Sequence, residues 1–298
     1  MGTAKHFFGD QISARRHLEQ VLTHYAASDQ RWDIIRFQTD LRVSARTFLA
    51  RVLWLQGFPD QAVRTAEMSI EEAQATGYAM SLCLALALAA CPIALWVGNL
   101  AAAARYAGML LDHSRQHGMP LWSEFGARFQ RQVVIKGGDL DAGSRPLDTA
   151  LDEIVQPNAS FRFFTGLTKL AEALAHAGRI AEALALVEAG IEQSEGGWLT
   201  PELLRLKGEL FLLQSTPAVA ETAEDLFRQA LDASRRQEAL SWELRAATSL
   251  VRLLRDRGRA ADAVACLQPI YDRFTEGFDT ADLIAAKQLL DELGDAGD

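Results

Sequence analysis

Residues 53–70 read LWLQGFPDQAVRTAEMSI, and residues 254–271 read LRDRGRAADAVACLQPIY. In each, an apolar helical stretch stops at a glycine, polar turn residues follow, and an alanine stands five positions beyond the glycine. The pairs are Gly57/Ala62 and Gly258/Ala263. Glycine suits the left-handed backbone that closes a helix, and the Asp, Asn, Arg or Pro after it suits turn and cap roles. Alanine at the start of the second helix is small enough to let two helices approach closely. Each stretch reads as a helix–turn–helix hairpin.

Outward from these two, the pair recurs at Gly9/Ala14, Gly98/Ala103, Gly137/Ala142, Gly178/Ala183 and, with alanine in the turn, Ala218/Ala223. Thirteen residues after each first member stands Leu22, Ile70, Leu111, Ala150, Ile191, Leu231 or Tyr271, all apolar or aromatic. Asp60, Asn99 and Asp139 fall where second helices begin, as caps or first-turn acids. A hairpin of about 40 residues cannot bury its apolar face alone, whereas stacked hairpins share a continuous core, which is the physics of a solenoid. No Asn-Gly hairpin and no alternating Val/Ile/Thr run signals a strand. The expected fold is all-α: one right-handed α-solenoid over residues 1–298, of about seven hairpins, the first incomplete at the N-terminus. A capping helix is expected in TEGFDTADLIAAKQLLDEL (275–293), with Gly277 closing the preceding helix and Asp279 and Asp282 resembling a capping box.

Composition agrees. The 298 residues include 49 alanines and only 8 prolines, and 49% are hydrophobic. Alanine is the best helix former, and such a chain buries a sizeable core, which excludes disorder. The net charge of −9 argues against whole-surface binding to nucleic acid or anionic membrane. Cys83, Cys91 and Cys266 are an odd number without a CxxC pair, so buried small residues in a reducing compartment are expected, not a disulfide or zinc framework. The opening MGTAKHFFGD carries no apolar signal region, and the expected location is cytoplasmic. One segment tests the soluble reading: Ala73–Ala104 is uncharged, and Tyr78–Val97 is long enough to cross a bilayer. Its alanine content, Pro92 and the absence of flanking Lys/Arg clusters favour burial within a helical array.

Chemistry-bearing motifs are missing. The chain has no GxxxxGK[ST], no GxGxxG after a strand, no GxSxG and no HExxH, so no catalytic residue or cofactor site is expected. His113 and His117 share a helix face suited to a metal, yet no further ligand cluster accompanies them, and cations opposing the dipole of a last turn before Gly118 are the preferred reading. The other histidines, His6 among them, carry no signal. Trp54 and Trp96 stand just before turns and are expected to pack between hairpins. Trp32, Trp122, Trp198 and Trp242, near first-helix starts, either pack or line a groove that stacks a ligand.

Several runs carry a family resemblance: FFGDQISARRHLEQ (7–20), LWLQGFPDQA (53–62), LLRLKGELFL (203–212), AEDLFRQALDASRRQEALSWELRAATSLVRLL (223–254) and PIYDRFTEGFDTADL (269–283). They resemble the tetratricopeptide-like helical C-terminal region of bacterial multidomain regulators, in which an adenylate-cyclase-like or winged-helix output domain precedes a signalling ATPase module. The period of about 40 exceeds the usual 34 of tetratricopeptide repeats, and their Trp/Leu/Gly/Tyr pattern is not kept. The resemblance implies an interaction or sensor segment whose first helices line a concave face.

Those first helices (31–56, 78–97, 120–136, 159–177, 198–214 and 239–257) hold 16 basic and 8 acidic residues, against 14 and 31 elsewhere. An inner groove lined by Arg36, Arg42, Arg46, Arg128, Arg131, Arg162, Lys169, Arg205, Arg245 and Arg252 would suit an acidic peptide, a phosphorylated ligand or a nucleotide. Alternatively, these cations neutralise acids of neighbouring second helices. The expected function is a non-catalytic protein-interaction scaffold in a signalling or transcriptional regulator. Its expected partner is an acidic peptide, or an ATPase, cyclase or DNA-binding output domain in cis or trans. The second reading is a sensor of an anionic or nucleotide-like effector. Direct nucleic-acid or membrane binding is not expected.

The close-approach role of the anchor alanines is testable. Ala183→Leu is expected to overpack its hairpin and cost about 1–3 kcal/mol, read as a lower urea midpoint. An unchanged midpoint would remove that role.

Overall fold

The computed structural model describes residues 1–24, 39–137, 160–194, 196–214 and 217–295, apart from the side chains of 160–165 and 217–218. Among the described residues all regular structure is helical. The chain divides into two units: Met1–Gly143 with Glu276–Ala281, and Ser144–Thr275 with Asp282–Asp298. The first unit contains α1 (Gly2–Phe7), α2 (Gln11–His24), α3 (Leu41–Leu55), α4 (Pro59–Thr76), α5 (Ala79–Val97), α6 (Leu100–Gln116) and α7 (Pro120–Lys136). The second contains α8 (Ser160–His176), α9 (Ile180–Ser194), α10 (Thr200–Leu212), α11 (Pro217–Gln237), α12 (Leu240–Asp256), α13 (Ala260–Tyr271) and the capping helix α14 (Ala281–Asp295). The architecture is a repetitive helix-hairpin solenoid of tetratricopeptide-like plan.

The turn chemistry explains the repeat. Gly9, Gly57, Gly98, Gly178 and Gly258 all take positive φ, between 72° and 87°. After each, the next backbone N–H reaches back five residues: Asp10 to Lys5 O, Phe58 to Leu53 O, Asn99 to Ala94 O, Arg179 to Leu174 O and Arg259 to Leu254 O, at 2.8–3.0 Å. That bond closes a Schellman motif and satisfies a carbonyl left over at the helix end. The anchor alanines Ala14, Ala62, Ala103, Ala183, Ala223 and Ala263 are all 0% exposed. Glycine extends the same logic inside a helix: a Cβ on Gly208 of α10 would lie 2.5 Å from the Phe227 ring of α11.

Three anchors depart from expectation. Gly137 stays right-handed at φ −76°, because its N–H donates to both Val133 O and Val134 O and prolongs α7. Its alanine partner, Ala142, lies outside the described residues. Ala218 sits inside α11 instead of in the turn, since Pro217 starts the helix before it. Helix α13 stops at Tyr271, two residues after Pro269 removes a backbone donor, so Gly277 lies in the following turn and caps nothing. Asn99 caps α6 as expected, accepting from the Ala102 N–H at 2.9 Å. Asp60, behind Pro59, is instead a first-turn acid.

The apolar segment is buried inside the first unit. Among the described residues, α5 is the one helix long and apolar enough to cross a membrane, and 72% of its most apolar window is buried. Its middle widens into a π turn at Leu86–Ala90, just ahead of Pro92. Proline at position 92 offers no N–H to the Leu88 carbonyl four residues back, and its ring would clash with that carbonyl in a regular helix. The freed Leu88 O accepts from Arg51 Nη1 at 3.2 Å. Arg51, 3% exposed, also donates from Nε to His6 Nε2 at 3.2 Å, and its guanidinium lies 5.2 Å from the Trp96 ring centroid. Gln11 fixes the other side of the imidazole, with Oε1 2.9 Å from His6 Nδ1. Nδ1 therefore carries the proton and Nε2 accepts from arginine, which requires a neutral ring.

In the second unit, Leu283, Ala286, Leu289, Leu290 and Leu293 of α14 join one apolar cluster with α11, α12 and α13. This closes the hairpin stack with a helix whose other face is polar, as a terminal cap requires.

Burial, reinforced by the Arg51 charge, pulls His6 down to about 3. The unfolded ring binds a proton below its ordinary 6.5 while the folded ring stays neutral, so stability falls as pH drops through 6.5 and the loss is complete near 3. A loss of about 2 kcal/mol between pH 7 and pH 5 is expected in urea denaturation followed by tryptophan fluorescence. His6→Gln, which does not titrate, should lack that component.

Candidate functional site

The first helices of the hairpins carry the charges singled out from sequence. On α3, Arg42 and Arg46 lie one turn apart and converge on a single acid, Glu72 of α4. Arg46 binds it bidentately, with both contacts at 2.7 Å, and Arg42 reaches it at 2.9 Å. Helix α5 brings no charge. On α7, the Arg128 guanidinium lies 5.5 Å from the Phe125 ring centroid, and Arg131 is half-buried. Arg36 and the Arg162 side chain lie outside the described residues.

In the second unit the first-helix charges form a connected ladder. Lys169 and Glu172 of α8 pair at 2.6 Å. On α10, Arg205 forks onto Glu202 at 2.8 and 3.0 Å and reaches Glu209 at 3.4 Å. Arg245 of α12 bridges Asp282 of α14 at 2.7 Å and Glu202 at 3.5 Å, with its guanidinium 5.1 Å from the Trp242 ring centroid. Ser249 of α12 donates to Glu209. Arg252 is exposed and forms no ion pair with a described residue. The face thus alternates in sign: Lys169, Arg205 and Arg245 are interleaved with Glu172, Glu202, Glu209 and Asp282. Five of the ten cations expected to line the groove hold carboxylates.

Burial sets the electrostatics of this ladder. Desolvation alone would push the Glu202 carboxyl up, but Arg205, followed by Arg245 and Lys169, outweighs it and holds the group at about 2. Burial likewise acts to lower Arg205 and Arg245, and the facing carboxylates raise both. Glu202 is therefore ionised at neutral pH and has no proton to donate. The Cys83 thiol is pushed up to about 11 by burial, and Cys91 rises further, so neither is a thiolate near neutrality.

The remaining candidates resolve into packing. His113 Nε2 lies 3.1 Å from Ala79 O, and its ring centroid lies 4.5 Å from that of His117. Among the described residues no group of three or more His, Cys, Asp or Glu stands together to hold a metal. Trp54 and Trp96 pack ring to ring at 4.5 Å. Trp198 and Trp242 stack at 6.2 Å, and the Trp242 indole donates to Trp198 O at 3.1 Å; Trp122 lies against Phe125. Trp32 lies outside the described residues. Sequence reading passed over Glu202, Glu209 and Asp282. The first two had a local signal, because Glu202, Arg205 and Glu209 stand at i, i+3 and i+7 on one helix.

Three segments of the chain match the tetratricopeptide repeat, residues 43–68, 166–189 and 244–269. Each runs from a first helix across a turn glycine (Gly57, Gly178 or Gly258) into the second helix. A search of curated proteins gives no match.

Removing the Glu202 charge would leave two buried guanidiniums short of a shared counterion. Glu202→Gln is expected to destabilise the chain by about 3–5 kcal/mol in urea denaturation at pH 7. The lowered carboxyl contributes stability above its ordinary 4.5 that is lost as pH falls toward 2. The variant should lack that acid-dependent component.

Proposed function

We propose that this chain is the partner-binding region of a bacterial signalling or transcriptional regulator. The observation that carries the reading is the repeat itself. Three tetratricopeptide-matching hairpins are built on Schellman turns and buried alanines, and they present first helices whose polar side chains are ionised and paired. Such a face suits recognition through charge and shape better than proton transfer, because its buried acid is held far below neutrality. The runs at 7–20, 223–254 and 269–283 that resemble helical tails of multidomain regulators support a signalling context. By that resemblance the partner is a signalling ATPase, a cyclase-like domain or a winged-helix output domain, in cis or trans.

A second reading, a sensor of an anionic effector, draws on the surplus of 16 basic over 8 acidic residues in the first helices. A ligand would have to displace carboxylates such as Glu72 or Glu202 from their arginines. That exchange costs most at the buried Glu202 and least at exposed Arg252.

Two measurements separate the readings. The immobilised chain is expected to capture a purified signalling-ATPase module or winged-helix domain saturably, with capture weakening as salt rises. Nucleotides, phosphosugars and acidic peptides are then screened by thermal shift. A nucleotide or phosphosugar shift without protein capture would replace the scaffold reading with the sensor.

A further inference from the structure

In the second unit, helices α11 and α13 flank a groove of about 500 Å³ floored by Leu231, Leu250 and Leu254 and edged by Arg228, Arg235 and Arg259. We infer that this groove docks an acidic amphipathic helix of a partner, with two of its carboxylates on the arginines at opposite ends and its apolar side chains on the leucine floor.

The charge arrangement points to that occupant. At one end a single carboxylate, Glu224, is shared by three guanidiniums: Arg228 at 2.7 Å, Arg259 at 2.9 Å and Arg257 at 3.2 Å. At the other end Glu243 is shared by Arg235 at 2.8 Å and Arg273 at 2.6 Å. Both acids are turned inward, with side chains 13% and 3% exposed, whereas the Arg228 and Arg235 side chains are 52% and 53% exposed. Each guanidinium offers five donors, and the closest bonds of these two commit only Nη2 of Arg228 and Nε of Arg235. The outward donors remain for a ligand.

Spacing selects the class. Arg228 and Arg235 are seven residues apart on one helix, about 10.5 Å. Two glutamates two turns apart on a partner helix match that distance, and the residues between them meet the apolar floor. A lone phosphate would reach one end only. The rim aspartates Asp232 and Asp262 oppose a continuous phosphodiester backbone. The groove lies between second helices, so it is separate from the first-helix face on which the proposed function rests, and partner capture through that face can survive the failure of this inference.

Cys266 lines the groove and is half-buried, whereas Cys83 and Cys91 are fully buried, so its alkylation reports occupancy. The probe is a fluorescein-labelled synthetic helix of Glu and Leu, with Glu at i and i+7 and Leu at i+3 and i+4, titrated with the full chain. Saturable binding is expected, with slowed Cys266 alkylation, no such effect from the Glu→Gln peptide, and about tenfold weaker binding to Arg228→Gln/Arg235→Gln. Cys266 protection is read on the unaltered chain, so the test stands even where the double variant is destabilised. Unchanged Cys266 alkylation or equal binding of the Glu→Gln peptide overturns the inference. Protection by inorganic phosphate alone would assign the groove to a small anion instead.

Discussion

The alanine five residues past each turn fixes how near the two helices of a hairpin lie, and the rest of each stack is built on that separation. With no side chain beyond Cβ, it lets the backbones approach until larger neighbours interdigitate. All six described alanines of this class are excluded from solvent. The glycine before each one makes the approach possible, because its left-handed backbone folds the chain back and hands a leftover carbonyl to the next N–H. Aromatic pairs, buried ions and the apolar cluster beneath α14 all occupy space that this spacing defines.

Much of this was readable before any coordinates, and the misses have physical causes. Gly9, Gly57, Gly98, Gly178 and Gly258 announce their role because few residues other than glycine hold positive φ cheaply. Gly137 shows the limit: permission to turn is not an obligation, and a shared hydrogen bond kept the helix going. At Ala218 and Gly277 a nearby proline moved the boundary by acting on backbone donors, a local effect that a fixed repeat register does not contain. The Arg51 constellation lay further out of reach. Its partners His6 and Leu88 stand 45 and 37 residues away in sequence, and only folding makes them neighbours.

The charges teach a related lesson. Counting by helix found a surplus of cations on first helices, and the count is right. A count, however, ignores reach: Arg205 finds acids on its own helix, Arg245 finds Asp282 on the capping helix, and Arg42 and Arg46 divide Glu72 between them. What looked like a basic stripe becomes, in the second unit, an alternating ladder that ties consecutive first helices together. Between second helices the opposite happens. There, single inward-facing acids are shared by two or three arginines, although those helices belong to the more acidic part of the chain.

The π turn in α5 also governs how insertions and deletions would be tolerated. A π turn holds one residue more than a regular helical path needs, so Leu86–Ala90 acts as a phase adjuster within an otherwise regular helix. Loss of a single residue there would restore regular winding and rotate Cys91–Val97 by about 100° relative to what precedes it. Trp96 would swing away from Trp54, and Gly98 would present its turn to the wrong side of the stack. A one-residue gap that a loop absorbs freely would here change which face of the helix meets its neighbours.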